Sequence, residues 1–388
     1  MLVFKFLLTF LLFTFLKLES SVNPSSKSDL MDLCTAAPIR KTGCKVASDR
    51  VIEEAKALKK RVSKKRGSKF SNNTPCDNLS SATITELSGI SSWPRELVYD
   101  QGKLGACSAN ALAFCIRYLS IRNSSDPTNF IDNPELLSPS RLYLYYNTRY
   151  LEGIINGKNF IKRDTGASID AAILALDKYG CCPEKSSDDL KCSIGTFHYA
   201  GWDYNIRKFS VQPPPENYRF ALDESYNGLK IVESALKDSK KNPYKIITQN
   251  IRYVDLGINY DKKDSRALNA REKKALIENF KAVLSDNIPI FYGLDHDSNF
   301  ERKNNNAFIT TPNLDTFSTK NATGHAIVIV GYGSYNPSIP KVNYFKFINS
   351  WGPDWGDNGF GYLEEDYITN HHLFCVGGFS IDLVKGEM

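Results

Sequence analysis

The amino-acid sequence predicts an α+β fold, with helices in the first half of the main body and strands in the last hundred residues. Apolar side chains recur at helical spacing in CSANALAFCIRYLSI, LSPSRLYLYYNTR and GASIDAAILALDKYG. The runs IPIFYGL, HAIVIVGYG, KVNYFKFINSW and FGYLEEDY are β-branched or aromatic and are separated by turn residues, the pattern of strands. Helices first and strands later imply two packed subdomains, and a cleft between two such halves is a usual place for a site. Size permits this. A chain of 388 residues, 42% hydrophobic and 24% charged, holds one large domain or two ordinary ones and is not a disordered chain.

Residues 1–20 read as a secretory signal peptide. Lys5 supplies the positive start, Phe6 to Leu16 form an apolar run of eleven, and Ser20 and Ser21 offer small residues for cleavage. The run is short for a transmembrane helix. Secretion or an endolysosome-like compartment is expected, and membrane attachment only if this segment stays uncleaved. Residues 21–88 are polar and basic. Within them Val51, Ala55, Leu58 and Val62 share one helical face, with lysines on the other. A pro-segment, a membrane-surface helix and a solvated spacer are all open readings of it. Residues 39–69 hold twelve Lys/Arg against three Asp/Glu, so the formal net charge of +6 belongs to this segment and the rest of the chain is slightly acidic. No nucleic-acid partner is expected.

Nine cysteines suit an oxidising compartment and allow up to four disulfides, with one thiol left over. No C-x-x-C spacing occurs, so no metal and no cofactor is expected. Sequons stand at Asn72, Asn78, Asn123 and Asn321. In the main body Cys107 opens the first helix. Ser138 and Pro139 are suited to cap and start the second, and Ser168 and Gly180 to bound the third. QPPPENY reads as an extended surface crossing and GLKIVESALKDSKKNP as an ambiguous helix.

A thiol nucleophile needs a lowered pKa, and a helix N-terminus and a neighbouring imidazolium both lower it. Cys107 meets the first condition. Of the five histidines, His325 suits the second, because it begins the apolar strand HAIVIVGYG and can be presented rigidly towards a cleft. His371 and His372 read as exposed, while His198 and His296 have no polar motif around them. Asn349 stands 24 residues after His325, at the end of another apolar strand. It can accept the imidazole Nδ1 hydrogen bond and fix the tautomer, and Trp351 can keep water from that bond. The oxyanion of acyl transfer needs donors, for which the Cys107 backbone N–H and the Gln101 side-chain amide lie on one turn. A structural disulfide and a plain core position are the competing roles for Cys107.

Gln101-Gly102, Gly105-Ala106-Cys107, Gly324-His325-Ala326 and Asn349-Ser350-Trp351-Gly352, in this order, resemble the Gln, Cys, His and Asn motifs of the papain-like cysteine peptidases, over about residues 90–385. The resemblance implies a papain-like two-lobe fold over residues 89–388, with a helical left lobe bearing the cysteine and a β-barrel-like right lobe bearing the histidine. It also implies a secreted zymogen, with segment 21–88 as its own inhibitor and proteins or peptides as substrates. The departures are specific. Leu104 stands where the family has a first cysteine, Ser108 where it has tryptophan and Asn110 where it has phenylalanine. The substrate-binding glycine pair is reduced to DTGAS, with Gly166 as its counterpart. The Cys-to-His spacing of 218 residues exceeds the family's usual span of about 130–150 and puts an extra segment at about 200–270. These forms are similar to divergent bacterial and large-virus members. The implied function is a cysteine endopeptidase using a Cys107–His325 thiolate–imidazolium pair and a thioester. An inactive peptidase-like binding protein and a Cys–His acyltransferase are the alternatives.

Overall fold

The computed structural model describes residues 43–65, 84–123, 138–186, 200–222, 251–254, 256, 266–296, 300, 307–312, 323–335, 342–370 and 375–383. Every described residue lies in the compact unit Arg40–Met388. The signal segment, GLKIVESALKDSKKNP and His198, His371 and His372 lie outside the described residues. Among the described residues no helix is long and apolar enough to cross a membrane.

Helix α1, Asp49–Lys65, is the basic amphipathic helix expected from the spacing. Its apolar face is not solvated. Val51, Ile52, Ala55 and Leu58 are buried against the body, where the helix packs on two later helices and a sheet strand. Helix α2, Cys107–Asn123, is the central helix, buried on every side from Cys107 to Ser120. An apolar residue on all faces suits a helix wrapped by other elements. Helix α3, Arg141–Asn156, is capped by Ser140, whose hydroxyl accepts from Tyr143 N at 3.1 Å. The cap expected at Ser138 is thus two residues too early. Pro139 pairs with Pro183 in a bridge and does not start the helix. Helix α4, Ile169–Tyr179, has the expected bounds, with Ser168 accepting from Ala171 N and Gly180 ending it at φ 64°. Helix α5, Pro215–Leu222, corrects the reading of QPPPENY as extended throughout, because its last proline is a first helical residue that needs no N–H there. Helix α6, Ala270–Ser285, opens with a capping box between Asn269 and Glu272 and buries Leu276, Phe280 and Leu284.

The strands are β1 Thr85–Glu86, β2 Ile251–Val254, β3 Ile290–His296, β4 Phe308–Ile309, β5 Thr323–Tyr335, β6 Val342–Ile348, β7 Phe360–Glu364 and β8 Cys375–Leu383. They form one sheet in the order β2-β8-β3-β5-β6-β7-β4, with β1 on β5. All pairs are antiparallel except β4 with β7. The end strands β2 and β4 do not meet, so the right-hand half is an open sheet and not a closed barrel. FGYLEEDY is strand only to Glu364, where the chain turns into helix α7, Glu365–Thr369. Helix α2 packs on β5, which brings the helical half and the sheet together along one seam. The fold class is α+β, as the order of helices and strands predicts.

The disulfide expectation needs correction. Cys44, Cys107, Cys115, Cys181, Cys182 and Cys375 are all buried free thiols. Cys115 lies inside α2, Cys107 and Cys375 open a helix and a strand, and Cys44, Cys181 and Cys182 lie in connecting segments, all packed as small apolar groups. Cys34, Cys76 and Cys192 lie outside the described residues.

Candidate active site

Cys107 is the first residue of α2, where backbone N–H groups have no intrahelical acceptor. His325 is the third residue of β5 and stands opposite Leu294 of β3. Asn349 follows β6, whose last residue, Ile348, pairs with Val328 of β5. The β5–β6 pairing thereby sets Asn349 beside His325, with Asn349 Oδ1 2.7 Å from His325 Nε2. The sequence suggests Nδ1 for this bond. The structure uses Nε2 and leaves Nδ1 buried, without a hydrogen-bond partner among the described residues. The Asn349 carboxamide is itself held, because its Oδ1 also accepts from Ser350 N at 2.8 Å.

Trp351 is buried, with its ring 4.8 Å from the imidazole of His325, so it excludes water from the His325–Asn349 bond. Phe300 packs edge-on to both rings at 5.7 Å. Gln101 is tied to the same turn from the other side. Its N–H donates to Ser350 O at 2.9 Å, its Oε1 accepts from Ser350 Oγ at 2.5 Å, and its Nε2 donates to Leu104 O at 2.9 Å. One turn before α2 and one turn after β6 are therefore a single bonded unit, and Cys107, Gln101, His325, Asn349 and Trp351 are brought together.

Residues 43 and 44 cover this unit. Cys44 N donates to Gly324 O at 3.0 Å, and Gly43 O accepts from Ala167 N at 2.8 Å, with Cys44 bridged parallel to Ala167. The fit is tight on both walls. A Cβ on Gly43 would lie 2.2 Å from the Gly105 carbonyl oxygen, and one on Gly166 (φ 68°) would lie 1.9 Å from Gly43 O. Gly105 N in turn donates to Asp164, which also accepts from Tyr145. Gly166 therefore belongs to a wall that contacts an extended backbone. Just beyond, Lys45 Nζ reaches Glu152 at 3.1 Å and lies 4.3 Å over the Phe160 ring.

This cover decides the electrostatics. Burial pushes the Cys107 thiol up to about 11, outweighing the opposing pull of nearby backbone N–H groups, that of Ala326 foremost. Burial first, and then the neighbouring His296, push His325 down to about 3, against the bond to Asn349. The covered site therefore holds a neutral thiol and a neutral imidazole. The acidic thiol expected from the helix start is overridden here by desolvation.

His296 carries no polar motif around it in the sequence and is not foreseen there as a site residue. The β3–β5 register places it opposite Thr323, buried, with its ring 5.9 Å from that of His325. The covering Gly43–Cys44 also carried no sequence signal. A single glycine between Thr42 and Cys44 is not a motif.

Comparison with known proteins gives the same direction. The papain family cysteine protease profile matches residues 222–373, a span that includes His325 and Asn349 and leaves out Cys107. An uncharacterised peptidase C1-like protein of Acanthamoeba polyphaga mimivirus is 27% identical over 294 residues, covering 75% of this chain and 71% of that protein. Cathepsin J of Mus musculus is 31% identical over 83 residues, 21% of this chain and 23% of that protein. The crystal structure of xylellain, a cysteine protease from Xylella fastidiosa, aligns with a TM-score of 0.47 and 23% identity over 90% of this chain and 100% of that one.

The chain is thus similar to the papain family of cysteine proteases over residues 222–373 and, over a longer span, to the mimivirus protein.

Proposed function

We propose that the chain is the latent form of a cysteine peptidase, in which residues 43–65 inhibit the site that they cover. The observation that carries this reading is the extended run of Gly43–Cys44 beside Cys107, bonded to Ala167 on one wall and Gly324 on the other, as a peptide strand would be. Helix α1 and the Lys45–Glu152 pair anchor the run.

When the segment leaves, water enters and both desolvation shifts relax. Cys107 then gives its proton to His325 Nδ1, the nitrogen that Asn349 does not hold. The thiolate attacks a peptide carbonyl, and the oxyanion is met by the Cys107 N–H and the Gln101 amide. The imidazolium protonates the leaving amine. His325 next takes a proton from water, which hydrolyses the thioester. Proteins or peptides are the substrates, and Gly166 with Ala167 supplies the backbone edge that aligns them. Entry into a secretory route through residues 1–20 belongs to the same reading.

The test is limited proteolysis between α1 and β1, followed by a mixed peptide library at pH 4–8, with Cys107→Ala as control. Hydrolysis and labelling by a thiol-directed epoxide are expected from the parent chain and neither from the variant. Hydrolysis retained in Cys107→Ala would overturn the assignment. A product joined to an added amine would favour acyl transfer.

A further inference from the structure

The two donors assigned to the oxyanion share one polar cluster. The main-chain carbonyls of Asp100 and Gln101 each accept a bond from a side chain far along the chain. Arg141 Nη1 donates to Asp100 O at 3.2 Å, and Tyr204 Oη donates to Gln101 O at 3.1 Å. The second donor has support of its own. The Cys107 N–H and the Ala106 carbonyl belong to one planar peptide group, and Asn110 Nδ2 donates to Ala106 O at 2.9 Å. Asn110 also joins the two halves. Its Nδ2 lies 3.4 Å from Tyr204 Oη, and its Oδ1 accepts from Arg141 Nη1 at 3.2 Å. Arg141 is fixed in turn. It is buried, forked onto Glu184 at 2.9 and 2.7 Å, with its guanidinium 4.5 Å from the Tyr99 ring centroid and 3.9 Å from that of Tyr204.

Tyr204 comes from the start of the extra segment, and the chain is fastened just before it. Trp202 N donates to Pro183 O at 3.0 Å, and Trp202 O accepts from Ser140 Oγ, the cap of α3, at 2.6 Å. The turn needs such outside support. Gly102, at φ 61°, and Gly105 give its peptide planes freedom to rotate. Ser350 holds the Gln101 N–H and Oε1, whereas the Gln101 carbonyl has Tyr204 Oη at 3.1 Å and only a long contact, 3.5 Å, from Leu104 N.

We propose that Tyr204, acting with Arg141 and Asn110, is a positioning residue for the oxyanion site, so that the start of the extra segment serves turnover. This rests on the reading of the Gln101 amide and the Cys107 N–H as oxyanion donors of a peptidase. A misplacement of about 1 Å in such a site costs on the order of 10²-fold in rate. Loss of one supporting hydroxyl is a smaller change, for which about a tenfold loss is expected.

The test is Tyr204→Phe in the full chain, activated by limited proteolysis between α1 and β1. Two reactions of Cys107 are measured. Peptide hydrolysis passes through an oxyanion. Alkylation by iodoacetamide does not, because sulfur bonds to a saturated carbon as iodide leaves. In the variant kcat is expected to fall about tenfold, with KM and the alkylation rate each within about twofold of wild type. In a Gln101→Ala background the same change is expected to cost less than about threefold, because one donor that it positions is gone. An unchanged kcat, equal losses in both reactions, or the full loss repeated in Gln101→Ala would overturn the positioning role alone. A wild-type chain that hydrolyses no peptide would overturn the peptidase reading, and this role with it.

Discussion

Replacing Gly43 by alanine should uncover Cys107. The added methyl would lie 2.2 Å from the Gly105 carbonyl oxygen and 2.6 Å from the Gly105 carbonyl carbon and Cα, which are backbone atoms and cannot swing aside. The run must lift, and with it go the bonds from Ala167 N and to Gly324 O. At about 1 kcal/mol net for each bond, docking weakens by about 2 kcal/mol, or ~30-fold in occupancy. A second effect compounds the first. Exposure returns the thiol from about 11 towards its ordinary 9.0, up to about a hundredfold in thiolate at neutral pH. The assay is the rate of iodoacetamide alkylation at Cys107, followed by peptide mass spectrometry across pH. Gly43→Ala is expected to react at least ~30-fold faster, with its pH inflection moved down. Cys115, buried in α2, is the internal control and should stay unlabelled in both proteins. An unchanged rate and inflection at Cys107 would refute the idea that residues 43–44 cover the thiol.

Asn349→Ala removes the acceptor 2.7 Å from His325 Nε2 and frees the ring to turn; kcat of the activated chain should fall about 10–10²-fold with little change in KM, by steady-state kinetics. Acid should loosen the folded chain through His325. Its folded pKa of about 3 lies below the ordinary 6.5, so the neutral ring is the stabilised form. That contribution is complete above pH 6.5 and is lost as pH falls towards 3, on the order of 2 kcal/mol by pH 4.5. The thermal midpoint should therefore drop between pH 6.5 and 4.5 more in wild type than in His325→Gln, and equal slopes would contradict this. Arg141→Ala strands Glu184, which Arg141 holds at 2.9 and 2.7 Å, and removes a guanidinium that bonds Asp100 O and lies 3.9 Å from the Tyr204 ring centroid. Denaturant unfolding should show a loss of about 3–5 kcal/mol.

What the sequence revealed were local features. Ser168 and Gly180 mark the bounds of α4 because a cap and a positive-φ glycine act within one turn. Cys107, His325 and Asn349 were legible because each follows or opens an apolar run of fixed period. Features that depend on register or on distant chain were hidden. His296 comes beside His325 only through the β3–β5 pairing, and the choice of Nε2 over Nδ1 depends on the side from which Asn349 approaches. Ser138 and Ser140 are equally good caps locally, and the bridge from Pro139 to Pro183 is what selects the second. The thiol's pKa depends on distant chain in the same way. The helix start is written beside Cys107, whereas the backbone that dries it lies more than sixty residues upstream.

That upstream position has a kinetic meaning. The occupant of the groove and the groove itself belong to one chain, so Gly43–Cys44 rebinds at an effective concentration set by the tether between α1 and β1 and not by how much protein is present. Tethers of this kind give effective concentrations on the order of millimolar. Dilution therefore leaves the covered state unchanged while the tether is whole. One cut between residues 65 and 85 turns the same contacts into a two-body equilibrium, which dilution then drives apart.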